Sequence, residues 1–157
     1  MASDLSSLLK DGCILDIQTS DSRKRVLQTL SHVLAETIGV DPRDVFDAVL
    51  ERENLGSTGV GEGVAIPHAR VNTLHKPIGA FVRLNTGVDF DAIDGHPCDL
   101  IFMLLAPQNS GADHLRALAQ VSRAFRNADL RSALRQATSR REIAEILCPH
   151  NIAADAA

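Results

Sequence analysis

Residues 99–107, Asp-Leu-Ile-Phe-Met-Leu-Leu-Ala-Pro, constrain the fold more than any other stretch of this 157-residue chain. The run is apolar from Leu100 to Ala106, and Pro107 ends it. It has the length of a strand and is far too short to cross a membrane as a helix. We therefore expect a buried strand, in a chain long enough for one domain with a sizeable core.

Helical and strand-like patterns alternate around this run. Apolar residues at helical spacing predict a helix that ends at Gly39, and Asp41 is the expected N-cap of a second helix that ends near residues 52–54. Further strands are expected at residues 13–17, 64–66 and 78–84, and three helices after residue 111. The predicted fold class is therefore α/β, a single domain with a central mixed β-sheet flanked by α-helices.

Charge and cysteine content exclude several classes of protein. The net charge is −4 and the basic residues are scattered, which argues against nucleic-acid binding. No apolar stretch reaches transmembrane length, so membrane insertion is not expected. Cys13, Cys98 and Cys148 are widely spaced and form no Cys-x-x-Cys pair, which indicates buried thiols in a reducing cytoplasm rather than disulfides or zinc ligands.

The stretch ENLGSTGVGEGVAIPHAR, residues 53–70, raises the question of function. Glycines at positions 56, 59, 61 and 63 permit unusual backbone conformations and close approach of a partner. An ordinary loop between a helix and a strand is the alternative. No Gly-Lys-Ser/Thr follows, and the glycines precede a strand instead of following one, which argues against a nucleotide-binding loop.

His68 follows the short apolar run Val64-Ala65-Ile66 and Pro67, which restricts the backbone. A neutral imidazole has one nitrogen free to act as a nucleophile while the other donates a hydrogen bond. A histidine at the rim of the core with satisfied hydrogen bonds is the alternative.

Two further residues make a phosphohistidine site a consistent interpretation. His114 falls in the first turn of a predicted helix, where the helix dipole favours anions; otherwise it is an exposed residue at a helix start. Arg52 precedes the glycines and could bind phosphate oxygens; otherwise it is a solvated charge. The hydroxyl pair Ser57 and Thr58 lies between Arg52 and His68.

The segment ENLGSTGVGEGVAIPHA resembles the active-site signature of the mannitol/fructose-type enzyme IIA proteins of the bacterial phosphotransferase system. The resemblance implies that His68 accepts phosphate from the histidine-containing phosphocarrier HPr. It also matches Arg52, sixteen positions upstream, and His114, which opens the helix HLRALAQVSRAFRN, to the family's other active-site residues. The implied domain spans residues 5–147, followed by a frayed tail at 148–157.

The segments DLIFMLLAPQNSGADHLRALAQVSRAFR and GVDFDAIDGHPCDL are most similar to the nitrogen-regulatory branch of that family. This resemblance implies NPr, an HPr paralogue, as the phosphocarrier. It also implies regulatory protein targets such as potassium-transport or sensor-kinase components, which respond to the phosphorylation state of a cytoplasmic protein.

The expected mechanism is in-line phosphoryl transfer to Nε2 of His68, giving a tele-phosphohistidine, with Arg52 and His114 stabilising the transferring group. Ser57, Thr58 and Gly59 are expected to bind phosphate. No cofactor is expected, and no metal, because two histidines without a third ligand make a poor zinc site. Two alternatives stay open: a sugar-specific (fructose/mannitol) IIA that passes phosphate to a IIB component, and a binding module whose histidine is never phosphorylated.

Overall fold

A computed structural model describes residues 4–17, 22–109 and 111–149 of the chain. The strands in this part of the chain are β1 Leu9–Ile17, β2 Gly59–Gly61, β3 Val64–Ala65, β4 His68–Val71, β5 Ile78–Val88 and β6 Cys98–Pro107. The helices are α1 Arg23–Ile38, α2 Pro42–Leu55, α3 Gly111–Arg126, α4 Ala128–Gln136 and α5 Arg140–Leu147. None of these helices is long and apolar enough to span a membrane.

The strands form one mixed sheet in the order β1-β5-β6-β3-β2, and β4 also pairs with β6. Strand β5 runs antiparallel to β6 on one side, while β3 and then β4 run parallel to it on the other. Every residue from Leu100 to Ala106 is fully buried, as predicted for this stretch. The α/β fold with a central mixed sheet is therefore confirmed.

Helix α2 packs on β4 and brings its last turn to the start of that strand. The Asp41 side chain caps the helix by accepting a hydrogen bond from a backbone N–H of the first turn, where Pro42 has no N–H to leave unpaired. Gly56 follows the last residue of the helix. The predicted helix is confirmed, and Arg52 lies in its last turn.

Pro67 divides the edge of the sheet beside β6 into two short parallel strands. Val64 and Ala65 of β3 pair with β6, and after the break His68 pairs opposite Leu104. Pro67 has no N–H to donate, but its carbonyl accepts a hydrogen bond of 2.9 Å from the Leu104 N–H. The sequence prediction placed His68 at the end of a strand; it instead opens a second one, β4.

The glycine-rich stretch folds into an antiparallel hairpin between β2 and β3, and the alternative of an ordinary loop is wrong. Gly63, with φ of +76°, occupies the left-handed region that other residues rarely adopt. At Gly59 a Cβ atom would lie 2.7 Å from the Cβ of Ala92, so the two backbones can pack only with glycine here. Close approach within the chain therefore accounts for Gly59.

The two ends of the expected domain, residues 5–147, meet in space. The Leu5 N–H donates a hydrogen bond of 2.8 Å to the Leu147 carbonyl. Of the predicted tail, residues 150–157 lie outside the described residues, whereas Cys148 is buried. Cys13 and Cys98 are likewise buried free thiols, as predicted.

Candidate active site

His68 is the first residue of β4, and a backbone hydrogen bond fixes its half-buried ring. Its Nδ1 atom lies 2.7 Å from the carbonyl oxygen of Ile66, two residues upstream. A carbonyl oxygen can only accept, so the proton of the neutral ring is on Nδ1. Nε2 is consequently left with a free lone pair, as a nucleophile requires.

His114 lies beside His68, in the first turn of α3. The two ring centroids are 5.6 Å apart and the ring planes are tilted by 51°. His114 is only 8% exposed, so the alternative of an exposed residue at a helix start is wrong. Its Nδ1 is buried and finds no hydrogen-bond partner among the described residues. Because a buried N–H without an acceptor is costly, the proton of this ring is better placed on Nε2.

Arg52 approaches from the last turn of α2. Its Nη1 donates a hydrogen bond of 2.9 Å to the Gly56 carbonyl, which restrains the half-buried side chain. It forms no ion pair with any carboxylate in the part of the chain that the structure describes. The guanidinium therefore keeps further N–H groups for a ligand, since an arginine has five donors.

These three side chains line one open cavity of about 350 Å³. The structure thus brings together His68, His114 and Arg52, although Arg52 and His114 are 62 positions apart in the sequence. The other lining residues are Ala48, Glu51, Leu55, Ala69, Arg70 and Gln108. A cavity of this size admits a phosphoryl group together with the side chain that delivers it.

Both imidazoles are held in the neutral form. Burial lowers the pKa of His68 and the Arg52 charge adds to this effect, whereas the Ile66 hydrogen bond and the Glu53 carboxylate oppose it. Burial also lowers the pKa of His114, with smaller contributions from His68, when that ring is protonated, and from the Arg70 charge. At neutral pH His68 is therefore a neutral base with a lone pair on Nε2, and His114 is a neutral hydrogen-bond donor.

None of the three residues predicted to bind phosphate, Ser57, Thr58 and Gly59, lines this cavity. The Ser57 hydroxyl donates to the Phe90 carbonyl and accepts a hydrogen bond of 3.0 Å from the Gly59 N–H. These contacts join the glycine hairpin to the segment after β5. The phosphate-binding role of Ser57 and Gly59 stays a prediction, and their contacts in this structure are internal.

Thr58, the third such residue, is bound to a buried carboxylate. Its hydroxyl donates to Oε1 of Glu53 at 2.6 Å, and its N–H donates to Oε2 at 3.1 Å. Arg23 lies 3.4 Å from the same carboxylate, which is 2% exposed. The pair of hydrogen bonds ties the end of α2 to the start of the hairpin. A phosphate-binding role for Thr58 likewise stays a prediction.

Arg70 and Gln108 line the cavity but were not among the residues predicted from the sequence. Side chains two residues apart on a strand point to the same side, so Arg70 shares a face of β4 with His68. The period-two pattern would have identified Arg70 if β4 had been predicted as a strand. Gln108 follows β6, and no pattern in the sequence distinguishes it from other residues of that loop.

Chemically, the cavity combines a fixed neutral imidazole with hydrogen-bond donors that suit an anion. Nε2 of His68 can form a bond to an electrophilic centre, while Arg52 and His114 can donate hydrogen bonds to negatively charged oxygens around that centre. Such an arrangement suits in-line transfer of a phosphoryl group, because charge in its transition state is spread over the equatorial oxygens.

Comparison with known proteins gives one family match and several close relatives. Residues 7–148 match the family described as "Phosphoenolpyruvate-dependent sugar phosphotransferase system, EIIA 2". A nitrogen regulatory protein of Bradyrhizobium diazoefficiens is 43% identical over 143 residues, which cover 91% of this chain and 94% of the relative. A "PTS system fructose-specific EIIA component" of Haloferax volcanii is 39% identical over 127 residues, covering 80% and 82%.

A solved structure is similar over nearly the whole chain. The crystal structure of the nitrogen regulatory protein IIA-Ntr from Neisseria meningitidis superimposes with a TM-score of 0.84 at 36% identity, covering 90% of this chain and 97% of that one. This chain therefore has the same fold as that protein.

Proposed function

The chain belongs to the EIIA 2 family of the phosphoenolpyruvate-dependent sugar phosphotransferase system, and on this premise we propose that His68 accepts a phosphoryl group from a phosphocarrier of the HPr or NPr type. The hydrogen bond from His68 Nδ1 to the Ile66 carbonyl is the observation that supports this best. It leaves Nε2 as the only ring nitrogen with a lone pair, in a cavity that also holds Arg52 and His114.

In the proposed step, the lone pair of His68 Nε2 attacks the phosphorus of the carrier's phosphohistidine. A new N–P bond forms as the bond to the carrier's imidazole breaks, and that imidazole leaves with the electron pair. The His68 ring, which keeps its Nδ1 proton, gains positive charge that the Ile66 carbonyl stabilises through the 2.7 Å hydrogen bond. No proton has to move in this step.

Arg52 and His114 stabilise the phosphoryl group during this step. Arg52 supplies a positive charge and forked N–H donors for the equatorial oxygens. His114, with its proton on Nε2, supplies a neutral donor, and this protonated nitrogen has no free lone pair with which to attack phosphorus. Both are ordered before the carrier arrives, so little reorganisation accompanies transfer.

The downstream role we propose is regulatory, as in the nitrogen branch of the family. Two large apolar side chains are exposed beside the site: Leu55, which lines the cavity and is 82% exposed, and Leu115, which follows His114 and is 65% exposed. A partner docked on them would have to desolvate a phosphoryl group on His68, which is costly without a compensating cation. We therefore expect at least one regulatory target to bind only the unphosphorylated form.

The target's preference can be measured with three forms of the protein: unphosphorylated, phosphorylated, and His68→Asp. Tight binding of the first form and weak binding of the other two is the expected result. Equal affinity for all three would mean that the phosphoryl group is in transit and has no regulatory effect.

A sugar-specific role is the second candidate, because a relative at 39% identity is described as fructose-specific. In that case a IIB component of the fructose type would remove the phosphoryl group from His68. Adding such a IIB to the phosphorylated chain separates the two functions. Retention of the label favours the regulatory role, and rapid discharge favours sugar transport.

Phosphorylation itself is tested by incubating the chain with phosphoenolpyruvate, enzyme I and either HPr or NPr. Intact-protein mass spectrometry should find one added phosphoryl group in wild type and none in His68→Ala. The matched control is His75→Ala, which removes an exposed histidine outside the cavity and should be labelled like wild type. Equal labelling of His68→Ala would refute the proposal.

A further inference from the structure

We propose that Arg70 is a second phosphate-binding arginine of the His68 cavity, beside Arg52, and that it holds the phosphoryl group on His68 after transfer. This inference rests on the proposed phosphorylation of His68 and deepens it, because it makes the phosphorylated form a state that persists.

The position of Arg70 follows from the pairing of β4 with β6. His68 pairs opposite Leu104 and Arg70 opposite Ala106, so the two residues lie on the same side of β4, about 7 Å apart along the strand. Both line the same cavity. A guanidinium on a three-carbon stem spans that distance, and its planar fork matches two phosphate oxygens.

Arg70 has donors to spare. Among the described residues it makes one hydrogen bond, from Nη1 to the Gln108 carbonyl at 3.4 Å, which is long for an N–H to oxygen bond. It forms no ion pair with any carboxylate of the described residues. By contrast, Arg83 forms two hydrogen bonds to the carboxylate of Asp16 and others to backbone carbonyls. Arg70 is therefore held near the cavity, and its guanidinium keeps N–H donors for a ligand.

Arg70 also determines the sign of the net charge in the cavity. Besides the two neutral histidines, the charged side chains that line it are Glu51, Arg52 and Arg70. Glu51 and Arg52 cancel, so Arg70 supplies the net positive charge that meets the nearly two negative charges of a phosphoryl group. Its charge already acts on this site, since it is one of the causes, after burial and His68, that lower the pKa of His114.

Removing Arg70 should shift the phosphoryl group back to the carrier. At equilibrium between phosphorylated carrier and this chain, Arg70→Ala should lower the fraction on His68, with an equilibrium constant reduced about tenfold, the low end for a hydrogen bond to a charged group because the side chain is exposed. Arg70→Lys, which keeps the charge and loses the fork, should recover part of the loss. Arg116→Ala removes the same charge from an exposed site outside the cavity and should leave the equilibrium constant unchanged.

A second measurement does not depend on the carrier. The small-molecule donor phosphoramidate can phosphorylate a reactive histidine directly, and ³¹P NMR then follows the titration of the phosphoryl group on His68. Because a nearby cation favours the dianion, the pKa of this group should be higher in Arg70→Ala than in wild type or in Arg116→Ala.

The outcomes separate the two claims. An unchanged equilibrium constant and an unchanged phosphoryl pKa in folded Arg70→Ala would overturn the role of Arg70 and leave phosphorylation of His68 standing. Labelling by phosphoramidate but not by HPr or NPr would refute the proposed function, and the ³¹P titration would still decide the role of Arg70. A His68 that accepts a phosphoryl group from neither donor would refute both.

Discussion

Nδ1 of His68 and the carbonyl oxygen of Ile66, 2.7 Å apart, determine which nitrogen of the imidazole is reactive. The bond spans Pro67, whose ring limits the backbone between the two residues. The chain therefore orients the imidazole and fixes its tautomer, and preorganisation of this kind would lower the barrier of the proposed transfer.

NMR of histidine-labelled protein should detect His68 as the Nδ1–H tautomer, with a pKa below the 6.5 of an unperturbed histidine. Burial is the main cause, and the Arg52 charge adds to it, so Arg52→Ala should raise this pKa. The rate of phosphoryl acceptance should consequently fall only at pH values below 6.5, where His68 becomes protonated. A proton on Nε2, or a titration midpoint above 6.5, would contradict the assigned tautomer and environment.

The two buried imidazoles should also make the free energy of unfolding depend on pH. Both have a folded-state pKa below 6.5, so the unfolded chain binds more protons as the pH falls through that value. The protein should be less stable at about pH 5.5 than at about pH 7.5. Urea denaturation at both pH values measures the difference, which should shrink in His114→Gln. An equal loss in wild type and variant would show that His114 does not contribute.

Loss of either donor should slow phosphoryl transfer. Arg52→Ala and His114→Ala should each reduce the transfer rate about 10²-fold, by analogy with removal of one oxyanion donor. Both should still be labelled slowly, because His68 keeps its nucleophile. Arg43→Ala, an exposed arginine in the first turn of the same helix, is the control for Arg52. Rapid-quench kinetics measure these rates. Wild-type rates in both variants would show that neither Arg52 nor His114 takes part in the transfer.

Gly59→Ala should destabilise the hairpin beside the site. The added Cβ would lie 2.7 Å from the Cβ of Ala92, and relieving such a contact costs about 1–3 kcal/mol. Gly12→Ala is the matched control, since nothing lies within 4 Å of a Cβ there. The free energy of unfolding in urea should fall for the first variant and stay near wild type for the second. Similar free energies of unfolding for the two variants would mean that the hairpin accommodates the added Cβ at little cost.

Local patterns in the sequence were sufficient for the long elements. Helix α2 was predicted from the N-cap Asp41, and β6 from seven consecutive apolar residues, 100–106, because caps and apolar runs act over a few neighbouring residues. The position of Arg52 in the last turn of α2 followed directly. The meeting of His68 with His114 was inferred from resemblance, since no local pattern relates residues on two separate elements.

The short elements could not be predicted in this way. Strand β4 has four residues, and it exists because residues 104–107 of β6 offer an unpaired edge beyond Pro67. Nothing in its own sequence requires a strand, and Arg70 was missed as a result. The same holds for Thr58, whose hydroxyl is taken up by the buried Glu53. Such pairings depend on what the rest of the fold brings near, which spacing along the chain does not encode.

Identifying which residue and which ring nitrogen carry the phosphoryl group tests the proposed function most directly. Protein labelled with ¹⁵N-histidine, phosphorylated through phosphoenolpyruvate, enzyme I and HPr or NPr, should give an acid-labile, alkali-stable product. Its ³¹P signal should couple to Nε2 of His68, and Nδ1 should keep the proton that it donates to Ile66. A phosphoryl group on Nδ1, on another residue, or in an acid-stable linkage would contradict the account.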